Sequence, residues 1–180
     1  MDNTYEGEYN VAGQREGHGV CRLANGNVYE GQWKADQYEG RGKYTVRRGD
    51  VYEGQYKAGV MEGHGMMTFA NGDVYDGQYK AGVMDGHGTF LYRGDPEKSG
   101  DTYTGEFKMG NREGRGMYKF ASGPTMVSWY LADRPEGEGA VWNSDSDEVW
   151  RMMHGEPVEA ISCDEAQRIA ERVDSMAGSA

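Results

Sequence analysis

One pentapeptide recurs along the chain at an interval of about 23 residues: Tyr29-Glu30-Gly31-Gln32-Trp33, Tyr52-Glu53-Gly54-Gln55-Tyr56, Tyr75-Asp76-Gly77-Gln78-Tyr79 and Tyr103-Thr104-Gly105-Glu106-Phe107. A fixed period of that length predicts an array of small units whose apolar surface is buried between neighbours instead of in one round core. Each copy is followed by a glycine pair flanking one residue, in Gly40-Arg41-Gly42, Gly63-His64-Gly65, Gly86-His87-Gly88 and Gly114-Arg115-Gly116. The register runs through Tyr5, Tyr29, Tyr52, Tyr75 and Tyr103 with gaps of 24, 23, 23 and 28. The longest gap holds Gly94-Asp95-Pro96-Glu97-Lys98-Ser99-Gly100, a polar stretch suited to a longer connecting loop.

Within one unit the period is that of a strand. Tyr52, Gly54 and Tyr56 alternate with Glu53, Gln55 and Lys57, so one face is aromatic and the other charged. Ala58-Gly59-Val60-Met61-Glu62 turns the chain, and a second strand sets Gly63, Gly65, Met67 and Phe69 against His64, Met66 and Thr68. Asn71-Gly72 closes the unit, as Asn25-Gly26 does in the first and Arg48-Gly49 in the second, and Asn-Gly suits a type I′ turn. Strand glycines that share a face with rings leave room for those rings to lie over the backbone, so Tyr52→Ala is expected to destabilise far more than Glu53→Ala.

Continuing the period gives two degraded units, Met126-Val127-Ser128-Trp129-Tyr130 with Gly137-Glu138-Gly139, and Val149-Trp150-Arg151-Met152-Met153. The fold expected is all-β: five clear and two degenerate hairpins, about fourteen strands in one elongated, twisted antiparallel sheet with a trough on its aromatic side, over residues 1–157. Residues 158–180 differ in kind. Ser162-Cys163-Asp164-Glu165 reads as a capping box, and Ile169, Ala170, Val173 and Met176 or Ala177 share one helical face. An amphipathic helix there is expected to cap the last repeat at the sheet's open edge.

Glycine, at 29 of 180 residues, is positional here, since no collagen-type triplet exists. The formal net charge of -11 argues against nucleic acid as a partner and against wholesale adsorption to acidic membranes. No apolar run reaches the ~18 residues of a membrane span, and Met1-Asp2-Asn3-Thr4 has no signal-peptide character. A soluble cytoplasmic protein is expected, with Cys21 and Cys163 as free thiols.

Tyr-x-Gly-x-Trp/Tyr, the later Gly-x-Gly and the Asn-Gly turn, recurring together, resemble the MORN (membrane occupation and recognition nexus) repeat family over residues 5 to 125. The resemblance implies a curved hairpin array acting as a non-catalytic scaffold, without cofactor. It further implies roles in binding partner helices or peptides, in self-association, in cytoskeletal or ciliary organisation, and in contact with acidic phospholipids. Family members that are enzymes carry a separate catalytic domain, which these repeats and the short tail do not supply.

His18, His64 and His87 share one slot, yet successive hairpins lie ~9.5 Å apart, too far for two ligands of one zinc. Arg41 and Arg115 fill the same slot elsewhere, so it reads as a surface ladder and no metal is expected. Lys34, Lys57, Lys80 and Lys108 form a row that supports lipid headgroup binding, but Glu30, Glu53 and Asp76 on the same face make cross-strand pairing the stronger reading. Asp145-Ser146-Asp147-Glu148 reads as an exposed polar turn, and no nucleophile motif or phosphate loop occurs. The expected site is therefore a groove for a partner helix or peptide beside Tyr29, Trp33, Tyr52, Tyr56, Tyr75, Tyr79, Tyr103 and Phe107. Self-assembly through the uncapped N-terminal hairpin, and binding to acidic phospholipid, are the alternatives.

Overall fold

The computed structural model describes residues 2–143 and 148–176, so that Asp145, Ser146 and Asp147 of the acidic turn, and Ala177, lie outside the described residues. Among the described residues, fourteen strands form one open antiparallel sheet in simple chain order. They are β1 (Thr4–Tyr9), β2 (Arg15–Arg22), β3 (Val28–Lys34), β4 (Gln37–Thr45), β5 (Val51–Lys57), β6 (Val60–Thr68) and β7 (Val74–Lys80), then β8 (Val83–Leu91), β9 (Thr102–Lys108), β10 (Asn111–Lys119), β11 (Thr125–Leu131), β12 (Arg134–Trp142), β13 (Val149–Met153) and β14 (Glu156–Ile161). One helix, α1 (Cys163–Met176), follows directly. Two compact units divide the chain, Met1–Val83 and Met84–Ala180.

The turns alternate between two kinds. Within a hairpin, two residues at positive φ make the type I′ turn: Ala58 and Gly59 at 50° and 84°, Ala81 and Gly82 at 50° and 86°. Asn-Gly was expected at this kind of turn, and here the structure corrects the sequence reading. In the connections between hairpins only the glycine is left-handed, at 88° for Gly26 and 95° for Gly72. Gly72 N–H donates to Phe69 O at 2.9 Å and Phe69 N–H to Asp73 O at 2.9 Å, a type I turn followed by a glycine bulge. The cause is local, since Asn71 Oδ1 accepts the Asp73 N–H at 3.0 Å and Asn71 keeps a right-handed backbone.

In the first unit the glycines pair across the sheet as an unbroken row, Gly19↔Gly31, Gly31↔Gly42, Gly42↔Gly54, Gly54↔Gly65 and Gly65↔Gly77. The repeat tyrosine lies over this row. Tyr29 Oη donates to Gln32 O at 2.8 Å, and Tyr52 and Tyr75 repeat the bond to Gln55 O and Gln78 O at 3.0 Å each. A β-carbon on Gly42 would come within 2.6 Å of Tyr29 Cζ, so the row must be glycine for the rings to reach their carbonyls.

Successive hairpins are tied by a carboxylate just before each Gly-x-Gly. Glu16, Glu39 and Glu62 accept the N–H of Ala35, Ala58 and Ala81 at 3.0, 2.9 and 2.9 Å, which satisfies a donor that the I′ turn leaves facing outward. In the second unit Asp85 and Glu113 hold Met109 and Ala132 likewise, at 3.3 and 3.0 Å. Wherever the turn carries aspartate in place of glycine, an arginine answers it: Arg15 pairs with Asp36 at 2.9 Å and Arg112 with Asp133 at 3.2 Å.

The second unit repeats the pattern and adds α1. Glu165 N–H donates to Ser162 Oγ at 3.2 Å, as the capping box predicts. Ala166, Ile169 and Val173 are buried against Val127, Ala140 and Val149. The helix thus lies on the face of the sheet over β11, β12 and β13, whereas the sequence suggested the open strand edge. β14 also extends to Ile161, so the helical segment begins at Cys163.

Candidate partner-binding surface

All eight rings expected to line a groove are buried, none keeping more than 7 % of its surface. In the first unit the structure brings all six together edge to face: Tyr29 meets Trp33 and Tyr56 at 5.1 and 5.4 Å, and Tyr52 meets Tyr56 and Tyr79 at 5.2 and 5.1 Å. Tyr75 joins through Tyr79 at 5.4 Å. In the second unit Tyr103 packs on Phe107 at 5.2 Å. Trp33 Nε1 donates to Gly19 O at 3.1 Å, so even the polar edge of the indole is occupied. Burial pushes the phenols up, Tyr52 to about 12, and raises Tyr29, Tyr56, Tyr79 and Tyr103 as well.

The open surface of the first unit is the opposite, polar face. A groove of about 720 Å³ runs across it, floored by Gly31, Gly42, Gly54 and Gly65 and walled by residues on both sides of that row. On one side the register aligns Glu30, Lys43, Glu53, Met66 and Asp76. On the other, His18 faces Gln32, Arg41 faces Gln55 and His64 faces Gln78. Gln32 Oε1 accepts the Arg41 N–H and Gln55 Oε1 the His64 N–H, each at 2.9 Å, so the repeated glutamine is fixed against the next strand. Lys43 pairs with Glu53 at 2.6 Å and His64 with Asp76 at 3.3 Å. The side chains of Glu30 and Arg41 carry no such pairing among the described residues. Those residues also contain no group of three or more His, Cys, Asp or Glu placed to hold a metal ion.

The second unit shows what its polar face accepts. Ser128 continues the glycine row opposite Gly116, which puts Val127 and Ala140 on the polar side, where the first unit has Glu30 and Lys43. There α1 lies. Its apolar stripe covers Val127, Ala140 and Val149, and its charges meet the sheet: Asp174 pairs with Arg115, Glu165 with Arg151, and Arg172 with Glu138 at 2.6 Å. Sequence reading passed over this face because alternate charged positions look merely solvated. Val127, apolar where Glu30, Glu53 and Asp76 stand in the first unit, was the signal that something covers it.

A MORN repeat model matches residues 5–28, 29–51, 52–74, 75–94 and 103–125, more than half of the chain. The chain belongs to the MORN repeat family. Its repeat tyrosines and glycine row recur in the matched units, and the hairpins of β11 to β14 continue the sheet beyond them. Among curated proteins none is similar enough in sequence to count as a relative. Two solved structures resemble this MORN array loosely. One is the TCP domain of Drosophila melanogaster SAS-4 (dCPAP) in complex with a proline-rich motif of Ana2 (dSTIL), at 13% identity and TM-score 0.45, covering 87% of this chain and 95% of that one. The other is the TCP10 domain of Danio rerio CPAP in complex with a STIL peptide, at 12% identity and TM-score 0.37, covering 90% of this chain and 100% of that one. Both are too distant to transfer a residue or a partner. No helix among the described residues is long and apolar enough to cross a membrane.

Proposed function

We propose that this MORN array is a non-catalytic protein-interaction scaffold that docks a helical segment of a partner on the polar face of its first unit. One observation carries the reading: the sheet already holds a helix on the equivalent face of its second unit, where α1 meets Val127, Ala140, Arg115 and Glu138. Helix-in-groove recognition combines an apolar stripe with flanking charges, and α1 has both. The eight rings named from the sequence remain essential to this reading as the floor's support, since their packing leaves them little surface for a partner. The groove in the first unit is open, and its glutamine walls are already fixed.

The test is site-specific photo-crosslinking in cells that make the protein. A photoreactive phenylalanine at Met66, on the groove wall, is compared with one at Tyr9, an exposed residue of the ring row. A partner captured through Met66 and not through Tyr9 is the expected result. Capture through Tyr9 alone, or through neither, overturns the polar-face assignment.

A further inference from the structure

The charges around the groove recur with a spacing that a helix can match. Glu30, Glu53 and Asp76 stand on β3, β5 and β7 on one side of the glycine floor, while His18, Arg41 and His64 stand on β2, β4 and β6 on the other. Members of each set are two strands apart, ~9.5 Å at the usual strand spacing. A helix rising ~1.5 Å per residue covers that distance in six to seven residues, close to two full turns, so side chains about seven apart return to the same flank. One heptad of helix therefore advances by one repeat of the sheet. The chain's own helix crosses successive strands in this way, since Glu165 reaches Arg151 on β13, Arg172 reaches Glu138 on β12 and Asp174 reaches Arg115 on β10.

Resting on the proposed docking face, we infer that the first-unit groove selects an amphipathic helix that carries carboxylates at heptad spacing along one flank, facing Arg41, and Lys or Arg along the other, facing Glu30. Charge complementarity singles out this occupant. Within the groove Lys43 already satisfies Glu53 and Asp76 already faces His64, which leaves Glu30 and Arg41, on opposite walls, as the pair with nothing to meet. Met66, exposed further along the groove between Glu53 and Asp76, offers the apolar contact that Val127 and Ala140 give to α1. Opposite signs on the two walls discriminate by charge arrangement more than by total charge.

Two helical peptides of 21 residues and equal composition test the inference against the intact chain by fluorescence anisotropy. In the first, glutamates occupy one flank and lysines the other at every heptad. In the second, the two alternate in sign along each flank, so that no orientation satisfies both walls. The first peptide is expected to bind at least tenfold more tightly, to weaken steeply with salt, and to lose at least fivefold against Arg41→Glu or Glu30→Lys. Both substitutions fall on exposed side chains, and circular dichroism confirms that each variant is folded. Equal affinity for the two peptides, no binding of either, or indifference to both substitutions overturns the inference. Phosphatidylserine vesicles form a third arm: vesicle binding that Arg41→Glu abolishes, with neither peptide bound, overturns it in favour of a headgroup site. If the peptides fail while Met66 still crosslinks a partner, the charge pattern falls and the docking face stands. If Met66 captures nothing, the docking face itself has failed.

Discussion

The steric bargain between ring and glycine is open to a double-mutant test at Gly42 and Tyr29. A methyl group at Gly42 would lie within 2.6 Å of Tyr29 Cε2 and Cζ, and real β-carbons do not approach so closely. The backbone of Gly42 is not left-handed, so alanine is conformationally acceptable there and by itself would gain about 0.5–1 kcal/mol over glycine. The ring must then move. Tyr29 is fully buried, stacks on Tyr38 at 3.7 Å and donates its hydroxyl to Gln32 O at 2.8 Å. Displacing it gives up ~1.5–3 kcal/mol of burial, ~0.5–1.5 kcal/mol of ring geometry and ~1 kcal/mol for the hydroxyl bond. Gly42→Ala should therefore destabilise by about 3–4 kcal/mol and Tyr29→Ala by ~3–5 kcal/mol. In the double variant the methyl enters the space the ring has vacated, so the loss should match that of Tyr29→Ala alone instead of the sum. Equilibrium urea unfolding, followed by tryptophan fluorescence and circular dichroism together, measures all three. Gly31→Ala is the control, because its methyl would meet Gly42 Cα at 2.5 Å and removing the ring cannot relieve a backbone clash. A Gly42→Ala variant within ~0.5 kcal/mol of wild type, or an additive double variant, refutes the argument that the rings require the glycine row.

Ala58 holds φ at 50° in its I′ turn, which suits asparagine better than alanine, so Ala58→Asn should stabilise by ~0.5–1 kcal/mol in the same unfolding assay. Glu62→Ala removes the acceptor of the Ala81 N–H and should cost ~1 kcal/mol, with amide exchange at Ala81 accelerated relative to its neighbours. The buried tyrosines set an alkaline limit. Burial raises the Tyr52 and Tyr130 phenols to about 12 from an ordinary value of 10.0, so their protonated form is favoured in the folded chain. Their contribution to stability is then complete below pH 10 and is lost as pH rises through about 12. Absorbance at 295 nm should show the buried ring row ionising only together with loss of the sheet signal; ionisation of Tyr52 and Tyr130 near pH 10 with the fold intact would contradict the burial described here.

What the sequence made legible was whatever depends on parity along a strand. The alternation in Tyr52-Glu53-Gly54-Gln55-Tyr56 places rings and glycines on one face, and the structure closes Tyr52 over Gly54 and Gly65 on that face. The capping box and the Ile169 and Val173 stripe were equally local, and α1 follows from them. Turn type was misassigned because Asn-Gly meets two geometries, and the choice lies in the hydrogen bond from Asn71 Oδ1 to the Asp73 N–H, which residue type alone does not determine. The ties from Glu16, Glu39 and Glu62 recur one position before every Gly-x-Gly, yet their function appears only when the next hairpin is placed beside them. The destination of α1 was hidden for the same reason: a helix shows its apolar stripe in sequence, whereas the surface it covers is assembled from Val127, Ala140 and Val149 on three strands.

The bonds that build the sheet also determine what kind of binding its polar face supports. Gln32 and Gln55, which wall the groove, are fixed by backbone N–H donors of the next strand, and the floor is backbone held by pairing on both sides. A partner segment that docks there orders few side chains of the array, chiefly Glu30, Arg41 and Met66. On the proposed docking, the entropic cost of association then falls mainly on the partner, which would form a helix over two or three heptads. On that docking, such a surface favours partners already helical, and it separates them by charge placement at Glu30 and Arg41, because neither of those groove charges is engaged by an ion pair among the described residues. Substituting Gln55 should therefore weaken any partner through the shape of the groove, whereas substituting Arg41 should change which partner is preferred.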